Sequence, residues 1–466
     1  MNYILNDSYS LRSWKNKPYC ICMDTAPVPP IPIGQELTVL FSDVFAYHGG
    51  DARIDQLIQE GILRTALEGE ELTPERRYLD YGCLYFESVI FSITGQCNYH
   101  CLHCSVNAPK TPMGEIPFSR IESLLDEMRE CGLKNVVLIG GEPLIRKDFL
   151  QIVDAVTDRG MLVAEIFTNG SLVDETLLNE LSRRQLKPLF MISFDGVGFH
   201  DIMRGVKGAE ESFFRCVDLL SSRGLPISCN MCVTKDSLHS LWDTITILAE
   251  KGVSSLTVYP PVECGLWKDR IREMGASMDL ICEVYTDVIE KYVSADYPLN
   301  LNLYGMIQFV KRLRGFALTP YWRHAPEKAS ISPACKVHQR ELNISPEGIL
   351  SPCYAIMADD YIRSHMPDLH QVSLKQALTD SAFTRLMELT AADIAAHNPK
   401  CRTCPHLSMC AGGCRMSAFE KTGDFLGYDP QMCYFFEKGM PDQFRKAVTR
   451  GRQARGNSRN GERMSN

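Results

Sequence analysis

Three cysteines fall within eight positions of this chain, in the stretch "CNYHCLHC" at residues 97–104. Three thiolates in one short loop can each bind one iron of a four-iron cluster and leave the fourth iron free for a further ligand. Zinc is an alternative, although a structural zinc site takes four ligands, usually as two separated pairs. A c-type haem needs CxxCH, and Ser105 follows Cys104. The two histidines, His100 and His103, are expected to be surface or packing residues.

The number of cysteines, 19 in 466 residues, is the unusual feature of the composition. In a large chain without an export signal, clustered thiols indicate metal ligation rather than disulfides. Seven cysteines gather in a second set, which consists of Cys335, Cys353, Cys401, Cys404, Cys410, Cys414 and Cys433. The scattered ones are expected to be buried, unreactive thiols: they are Cys20, Cys22, Cys83, Cys131, Cys216, Cys229, Cys232, Cys264 and Cys282.

The overall composition is that of a globular protein, with 45% apolar and 23% charged residues, and the length allows two or three domains. The net charge of -8 gives no reason to expect nucleic-acid binding. No apolar run has the length of a membrane span, and the start "MNYILNDSYS" lacks the regions of a signal peptide. We therefore expect a cytoplasmic protein that binds neither nucleic acid nor membrane.

The middle of the chain alternates between apolar, strand-length runs and amphipathic helical stretches. Nearly continuous apolar runs are typical of buried parallel strands. Four glycines, at 132, 160, 224 and 252, stand where helices should end, and "SRIE" (119–122) predicts a capping box. Six β/α units predict an α/β fold with a partial, TIM-like (β/α)6 barrel. The six runs are "VIFSIT", "NVVLIG", "LVAEIFT", "LFMISFD", "ISCNMCVT" and "SLTVYP".

The two ends of the chain differ from this middle. Residues 1–86 predict a small α+β unit, with strands "YSLRSW" and "PYCICM", a helical face from Leu37 to Phe45, and a second helix at Ile54 to Ile58. The basic last residues predict a disordered tail. The expected units are 1–86, the barrel at 87–312, a linker at 313–334, a Cys-rich domain with a hairpin at 335–440, and the tail at 441–466.

The cysteine loop follows the first barrel strand, and the motifs after the next strands complete a pattern. With CxxxCxxC at this place the chain resembles the radical S-adenosylmethionine enzymes. The motifs that carry the resemblance are "GGEP" after the second strand, "TNG" after the third, "SFDG" at the end of the fourth, and "HDIMRG" after it. Four such features at the same end of successive strands have no common structural explanation.

The resemblance implies the cofactors and their ligands. A [4Fe-4S] cluster would be held by Cys97, Cys101 and Cys104, and its free iron would chelate S-adenosylmethionine. Reductive cleavage would then give methionine and a 5′-deoxyadenosyl radical, which abstracts an unactivated hydrogen. The residues expected to contact S-adenosylmethionine are Gly140, Gly141, Glu142, Pro143, Thr168, Asn169, Ser193, Asp195 and Arg204. Among them, Glu142 suits the ammonium group and Arg204 the carboxylate.

The second cysteine set resembles the SPASM extension, which binds two auxiliary [4Fe-4S] clusters. Carried over, the resemblance assigns Cys335, Cys353 and Cys414 to the first auxiliary cluster. It assigns the second cluster to Cys401, Cys404, Cys410 and Cys433. The fourth ligand of the first cluster stays open, with His338 or Glu341 as possible ligands. A zinc-ribbon interpretation of "CRTC" and "CAGGC" is the alternative.

SPASM enzymes mostly act on peptides or proteins, and the N-terminal unit resembles the winged-helix domains that bind leader peptides. An extended leader would add a strand to a sheet edge. The resemblance thus implies a maturase of ribosomally made peptides (RiPPs), an oxidoreductase forming a thioether or a carbon–carbon cross-link. Its partners would be a precursor peptide with leader and core, and a flavodoxin- or ferredoxin-type reductant. A barrel-capping extension is the simpler interpretation of residues 1–86.

Other functions remain open at this point. A sulfatase-maturating-type oxidase would carry an aspartate after the second auxiliary cysteine and a further early cysteine. Here Tyr354 follows Cys353, and residues 336–352 contain no cysteine. Outside the enzymes, an iron–sulfur electron carrier or a zinc-binding structural protein would explain the thiols. Neither explains the "GGEP" and "SFDG" motifs or Arg204.

Overall fold

A computed structural model describes most of the chain. The described residues are 1–26, 28–104, 108, 113–260, 265–267, 270–313, 315–321, 323–328, 330–335 and 340–464, with side chains up to 456. Its strands are β1 Asn2–Leu5, β2 Tyr9–Trp14, β3 Lys17–Met23, β4 Ile31–Pro32, β5 Phe45–Ala46, β6 Leu63–Thr65, β7 Leu79–Asp80, β8 Ser88–Thr94, β9 Asn135–Gly140, β10 Leu162–Thr168, β11 Leu189–Ser193, β12 Ile227–Cys232, β13 Ser255–Tyr259, β14 Asn300–Leu303, β15 Ile307–Val310, β16 Gly315–Leu318, β17 Glu341–Ile344 and β18 Leu350–Ser351.

The helices cover the barrel and build most of the C-terminal part. Between the N-terminal unit and the barrel's end they are α1 Gln35–Phe41, α2 Ala52–Gln59, α3 Phe118–Glu130, α4 Phe149–Asp158, α5 Glu175–Arg183, α6 His200–Arg204, α7 Ala209–Ser222, α8 Leu241–Glu250, α9 Ile271–Met274 and α10 Met278–Ala295. After it come α11 Tyr354–Met357, α12 Asp360–Arg363, α13 Leu374–Ala377, α14 Ala382–Met387, α15 Ala391–His397, α16 Pro399–Arg402, α17 Leu407–Cys410, α18 Arg415–Thr422, α19 Pro430–Glu437 and α20 Met440–Met464.

The N-terminal part contains two small sheets, in the orders β5-β1-β6 and β4-β3-β2-β7. The two predicted strands are confirmed as β2 and β3, and the second predicted helix as α2. The predicted helical face from Leu37 to Phe45 ends earlier, at Phe41, because Phe45 enters β5 and pairs with Tyr3 of β1. Strand β1, which the apolar pattern did not predict, is the central strand of its sheet.

The N-terminal part has its own apolar core, but it also joins the core of the barrel. The indole of Trp14 donates to the carbonyl of Cys131 at 2.9 Å and stacks on Tyr81 with 5.0 Å between ring centroids. Gly132 has a φ of +74°, and a Cβ there would lie 2.5 Å from the Tyr81 ring. The boundary predicted at residue 86 therefore runs through a shared interface.

The barrel sheet is confirmed and is larger than six strands. Its order is β16-β15-β14-β13-β12-β11-β10-β9-β8-β17-β18, and the strands from β8 to β14 are parallel in chain order. The six predicted strands are β8 to β13. The sequence did not predict β14, nor that β17 of the Cys-rich region would pair in parallel with β8. The predicted hairpin is confirmed as the antiparallel pair β17 and β18.

Helix ends on the barrel follow the predicted glycines but not the predicted capping box. Each of the four glycines has a positive φ directly beyond a helix end. Helix α3 begins at Phe118 after Pro117, so Ser119 lies inside the helix and caps nothing. In the described residues, no helix has both the length and the apolarity that a membrane crossing requires.

The C-terminal segment is a helix, and the prediction of a disordered tail is wrong for residues 441–456. One face of α20 packs on α10, and its buried residues are Met440, Phe444, Ala447 and Val448. Arg450 reaches Glu290 of α10 at 2.5 Å, and Arg455 pairs with Asp296. The spacing of the buried residues is helical, but the many basic residues between them obscured it in the sequence.

Two glycines of α20 make this packing testable. A Cβ at Gly451 would lie 2.6 Å from the Glu290 carbonyl, whereas a Cβ at Gly456 would meet nothing within 4 Å. We predict that Gly456→Ala stabilises the helix by about 0.5–1 kcal/mol and that Gly451→Ala destabilises the protein by about 1–3 kcal/mol. Urea unfolding of both variants tests this. Equal, stabilising effects would mean that α20 does not pack closely on α10.

Candidate active site and cluster sites

The cysteine loop lies at the carboxyl edge of the barrel, directly after β8. Cys97 and Cys104 share a small apolar cluster with Met113 and Tyr354. Burial, together with the neighbouring charges of Cys101, Glu142 and Cys104, raises the pKa of the Cys97 thiol to about 12. The structure therefore brings together the three thiols that the sequence predicted, in a partly apolar environment that suits an iron–sulfur cluster.

The "GGEP" turn lies directly beneath the cysteine loop. Gly141 donates to the carbonyl of Thr94 at 2.9 Å, and the backbone of Glu142 donates to Gln96 at 2.8 Å. A Cβ at Gly141 would collide with the Gln96 carbonyl, and one at Gly140 with that of Thr94. The two glycines are thus required because the end of β9 touches the start of the cysteine loop.

The Glu142 side chain is fully buried and already satisfied by the protein. It accepts hydrogen bonds from the backbone of Leu144 at 3.1 Å, the hydroxyl of Thr168 at 3.0 Å and the backbone of Asn169 at 2.7 Å. Burial raises its pKa to about 7, although these hydrogen bonds favour the charged form. The carboxylate thus fixes the turn to the end of β10. That Glu142 contacts the ammonium group of S-adenosylmethionine stays a prediction.

Asn169 continues this connection towards the cysteines. Its side-chain amide donates to Asn98, inside the cysteine loop, at 2.8 Å, and it accepts from Ser171 at 2.7 Å. Ser193 ends β11 and pairs with Asn230 of β12, on the lumen side of the barrel. The residues of the third and fourth strands that are predicted to contact S-adenosylmethionine therefore lie at the same edge of the barrel as the cysteine loop, in the order of the strands.

Asp195 and Arg204 form a buried ion pair. The guanidinium Nε of Arg204 lies 2.7 Å from Asp195 Oδ2, and Nη1 lies 3.6 Å from the sulfur of Cys101. The backbone of Cys232 donates to the other Asp195 oxygen at 3.1 Å. Burial alone would raise the pKa of Asp195, but Arg204 and two histidines hold it below its usual value. Arg204 therefore links the fourth strand to the cysteine loop.

Two histidines complete this buried network. His103 Nε2 lies 3.7 Å from Asp195 Oδ2, the oxygen that pairs with Arg204. His200 Nδ1 lies 3.9 Å from the same atom. His200 Nδ1 also accepts the backbone N–H of Asp195 at 3.1 Å. Burial lowers the pKa of both rings, to about 4 for His103 and about 3 for His200, so both are neutral at pH 7. The sequence predicts a surface or packing role for His103, and it does not single out His200, the first residue of "HDIMRG".

Four thiols of the C-terminal set line a single cavity. Its volume is about 330 Å³, and the thiols are those of Cys401, Cys404, Cys410 and Cys433. The walls include Leu407, Met432 and Phe436, on which His406 stacks at 4.7 Å between ring centroids. Four thiols around one largely apolar cavity fit a four-iron cluster.

The three remaining thiols form a second group nearby. The charge of Cys335 adds to burial in raising the pKa of Cys414, to about 11. Cys353 and Cys414 pack against one apolar cluster with Met416. Asp429 accepts the backbone N–H of Cys414 at 2.8 Å. The grouping agrees with the predicted assignment; of the possible fourth ligands, His338 lies outside the described residues and Glu341 faces the barrel lumen.

The scattered cysteines behave as predicted where the structure describes them. Seven are buried; Cys232 is half-buried on the lumen side of β12, and Cys264 lies outside the described residues. In the described part of the chain, no three His, Cys, Asp or Glu side chains converge on a point suited to one metal ion. A four-iron cluster has a different requirement, because each of its thiolates binds a different iron atom.

Comparison with known families agrees with this geometry. The radical SAM superfamily profile matches residues 91–248, and that of an iron–sulfur cluster-binding SPASM domain matches residues 335–405. This chain is a radical SAM protein with a SPASM domain. A radical SAM domain binds S-adenosylmethionine and a [4Fe-4S] cluster, and a SPASM domain binds auxiliary iron–sulfur clusters. The thiol groups described above fit these cofactors in number and position.

Relatives of this radical SAM protein differ in activity. An AdoMet-dependent heme synthase of Methanosarcina barkeri is 24% identical over 366 residues, which cover 74% of this chain and 96% of that protein. A PqqA peptide cyclase of Granulibacter bethesdensis is 24% identical over 361 residues, 73% of this chain and 86% of that protein. The structure of Streptococcus suis SuiB bound to precursor peptide SuiA has a TM-score of 0.66 and 14% identity, covering 92% of this chain and 99% of that one.

Removal of the first thiol group should have a defined effect on iron content. We predict about twelve irons per chain after anaerobic reconstitution, and loss of about a third of them on replacing Cys97, Cys101 and Cys104 by alanine. Cleavage of S-adenosylmethionine should be lost as well. The control is Cys229→Ala, which removes a fully buried core thiol. Unchanged iron in the triple variant, or zinc in place of iron, would contradict the assignment.

The buried ion pair should matter more for stability than a surface pair. Asp195→Asn leaves the Arg204 charge buried without its partner, and we predict a loss of about 3–5 kcal/mol in the free energy of unfolding. Asp126→Asn breaks a half-exposed pair with Arg159 at 2.9 Å and should cost about 1 kcal/mol or less. Urea unfolding of both variants provides the measurement. A similar small loss in both would show that Asp195 does not hold Arg204 in place.

Proposed function

We propose that this protein is a peptide maturase that abstracts hydrogen from a ribosomally made precursor peptide and forms a thioether or carbon–carbon cross-link. The observation that carries the proposal is the N-terminal part, with its own core and two small sheets, attached to a complete radical SAM and SPASM body. The likeness in fold to peptide-bound SuiB extends over 92% of the chain. About a quarter of the chain lies outside the matches to both the heme synthase and the PqqA peptide cyclase, so the support comes from the likeness to SuiB.

The surface of the N-terminal part supports a role in peptide binding. Of the eleven large apolar side chains exposed in the described residues, seven belong to the first 86 positions. Two of them, Tyr78 and Leu79, lie at the edge strand β7, and Leu79 is 48% exposed. An edge strand has unpaired backbone groups, so an extended leader can pair with it and cover these side chains.

The barrel residues have separate tasks in this proposal. When bound, the iron–sulfur cluster and S-adenosylmethionine supply the 5′-deoxyadenosyl radical that abstracts hydrogen. The backbone of Gly140 to Pro143 would bind the ammonium group of S-adenosylmethionine, and Glu142 keeps this turn in position. Asp195 and Arg204 fix the cysteine loop against the fourth and fifth strands. Electrons for the cleavage would come from a flavodoxin- or ferredoxin-type protein.

One other activity has an observation in its favour. The heme synthase relatives, matched over nearly their whole length, support an activity on a tetrapyrrole. A sulfatase-maturating-type oxidase is less well supported, because the position after Cys353 holds a phenol rather than a carboxylate. The Tyr354 hydroxyl lies 3.0 Å from that of Ser92, beside Cys97 and Cys104. An electron carrier or a zinc protein would release no 5′-deoxyadenosine.

The proposal predicts a modified peptide. Reconstituted protein, S-adenosylmethionine and dithionite are incubated with the short peptide encoded beside the gene, and in parallel with a porphyrin. We expect 5′-deoxyadenosine and a peptide lighter by two hydrogens, measured by mass spectrometry. A thioether would also remove one alkylatable thiol, whereas a carbon–carbon cross-link would leave all thiols free. Conversion of the porphyrin with an unchanged peptide would contradict the proposal.

A charge at the edge strand tests the role of the N-terminal part. Leu79→Lys should weaken binding of the precursor peptide by about tenfold, because the lysine would need to be desolvated. Cleavage of S-adenosylmethionine without peptide should be unchanged. The matched control is Tyr361→Lys, at a 68% exposed side chain of α12. Equal peptide binding by all three proteins would exclude this edge as the leader site.

A further inference from the structure

Two carboxylates face the interior of the barrel, below the site described above. In a parallel sheet, residues paired across strands share a face, and alternate residues face opposite sides. Glu165 of β10 pairs with Leu189 and Val137, and Glu341 of β17 pairs with Ser88. The residues that alternate with these on each strand belong to the apolar core under the helices. Glu165 and Glu341, the lumen carboxylates, therefore face the interior.

The lumen carboxylates have no cationic partner in the described part of the chain. Neither takes part in an ion pair within 4 Å or in a hydrogen bond among the residues described, whereas Arg340 is bound to Glu87 at 2.8 Å. Burial, together with the charge of Glu341, raises the pKa of Glu165 to about 7, and Arg340 opposes this. Burial also raises the pKa of Glu341. The guanidinium of Arg340 is already paired with Glu87, and it offsets the charges of Glu165 and Glu341 only from beyond ion-pair distance. The excess negative charge is therefore poorly solvated.

An aromatic wall and an unpartnered amide face the same space. Tyr304 lies between Tyr259 and Tyr321, with ring centroids 4.6 Å and 4.9 Å apart. Asn302 is only 8% exposed, and its amide nitrogen donates to the Tyr321 hydroxyl at 2.6 Å. Its oxygen has no hydrogen-bond partner among the described residues. Buried amide oxygens are rarely left without a donor, so this oxygen is available to accept a hydrogen bond from a bound group.

The lumen carboxylates, the aromatic wall and Asn302 form one site. Burial raises the pKa of the Tyr259 and Tyr321 hydroxyls; the charge of Glu341 raises both further, and that of Glu165 also raises the pKa of Tyr259, so these groups share one region of the lumen. The site adjoins the reactive region, since Tyr259 pairs with Cys232, whose backbone binds Asp195. A group bound here therefore lies within the barrel, next to the buried network at its mouth.

We propose that Glu165 and Glu341 bind the ammonium or guanidinium group of a basic side chain of the substrate peptide. This deepens the proposed function and rests on it. Carboxylates and the oxygen of Asn302 would accept the N–H groups, and tyrosine faces favour an organic cation. A metal ion is less suitable, because no three metal-ligating side chains converge in the described residues. The modified peptide would thus carry a lysine or arginine close to the reacting residue.

The test uses the reconstituted holoenzyme with S-adenosylmethionine and blocked pentapeptides, Ala-Ala-X-Ala-Ala, in which X is lysine, arginine, norleucine or glutamate. Binding is measured by calorimetry. We expect the lysine or arginine peptide to bind about tenfold more tightly than the norleucine peptide, which has the same length but no charge. Equal affinities of the basic and norleucine peptides in the wild type would overturn the proposal without any variant.

Variants locate the site. Glu165→Gln and Glu341→Gln should each remove most of the preference for the basic peptide and leave norleucine binding unchanged. Glu130→Gln, at the exposed end of α3, makes the same charge change outside the barrel and should have no effect. A preference that survives both lumen substitutions would overturn the proposal. So would tight binding of Ca²⁺ or Mg²⁺ that depends on Glu165, or loss of iron in Glu341→Gln.

The outcomes for the two proposals are separable. If the precursor peptide is modified but the lumen variants keep full affinity for the basic pentapeptide, the cation site is wrong and the maturase stands. If the pentapeptides bind as expected and no peptide is modified, the maturase is wrong, and the lumen is a cation site for another amine substrate.

Discussion

The parallel pairing of β17 with β8 is the contact on which the arrangement of this protein depends. Strand β8 leads directly into the first cysteine loop, and β17 leads through β18 to Cys353. Because the strands are adjacent, Tyr354 packs beside Cys97 and Cys104 and hydrogen-bonds to Ser92 of β8. A C-terminal domain attached only by a linker could not fix the thiol groups relative to one another. Here β8 and β17, the strands that lead to Cys97 and Cys353, belong to one continuous sheet.

The buried carboxylates fall into two kinds: those that hold loops in position and those that are proposed to bind a cation. Glu142 and Asp195 are fully buried at the barrel mouth: protein donors bind both oxygens of Glu142, while Asp195 accepts from the Cys232 backbone and pairs with Arg204. Groups with such partners hold loops together. Glu165 and Glu341 have no such partners in the described residues. A buried carboxylate without a partner is costly, so it indicates either a proton or a cation that comes with a ligand.

Much of this arrangement could be predicted from the sequence, because regular patterns carry local information. The six apolar runs gave β8 to β13, the glycines gave helix ends, and the cysteine spacing gave both thiol sets. Strand β14 was missed because asparagines alternate with its leucines, since one face lines the polar lumen. The pairing of β17 with β8 depends on a contact between distant segments, which spacing does not encode. Arg204 and Asp195 lie close in sequence, but their pairing depends on the path of the connection between β11 and α6. The packed face of α20 was missed because the basic residues were counted without regard to the helical spacing of the apolar residues between them.

The barrel sheet is open at its two end strands, and this bears on how the proposed peptide substrate would enter the lumen. A closed eight-stranded barrel can be entered only at its ends, and its interior is filled by side chains. In this sheet the end strands are β16 and β18, and in the described residues they do not pair with each other. Tyr321 follows β16, and Glu341 begins the strand next to β18, so the aromatic wall and a lumen carboxylate lie near the two free ends. The open side of the sheet in the described residues is thus where an extended substrate of the proposed kind would enter the lumen, while the cysteine loop and the buried network lie at the mouth. This combination of a rigid mouth and a laterally accessible interior suits a substrate too large to be enclosed.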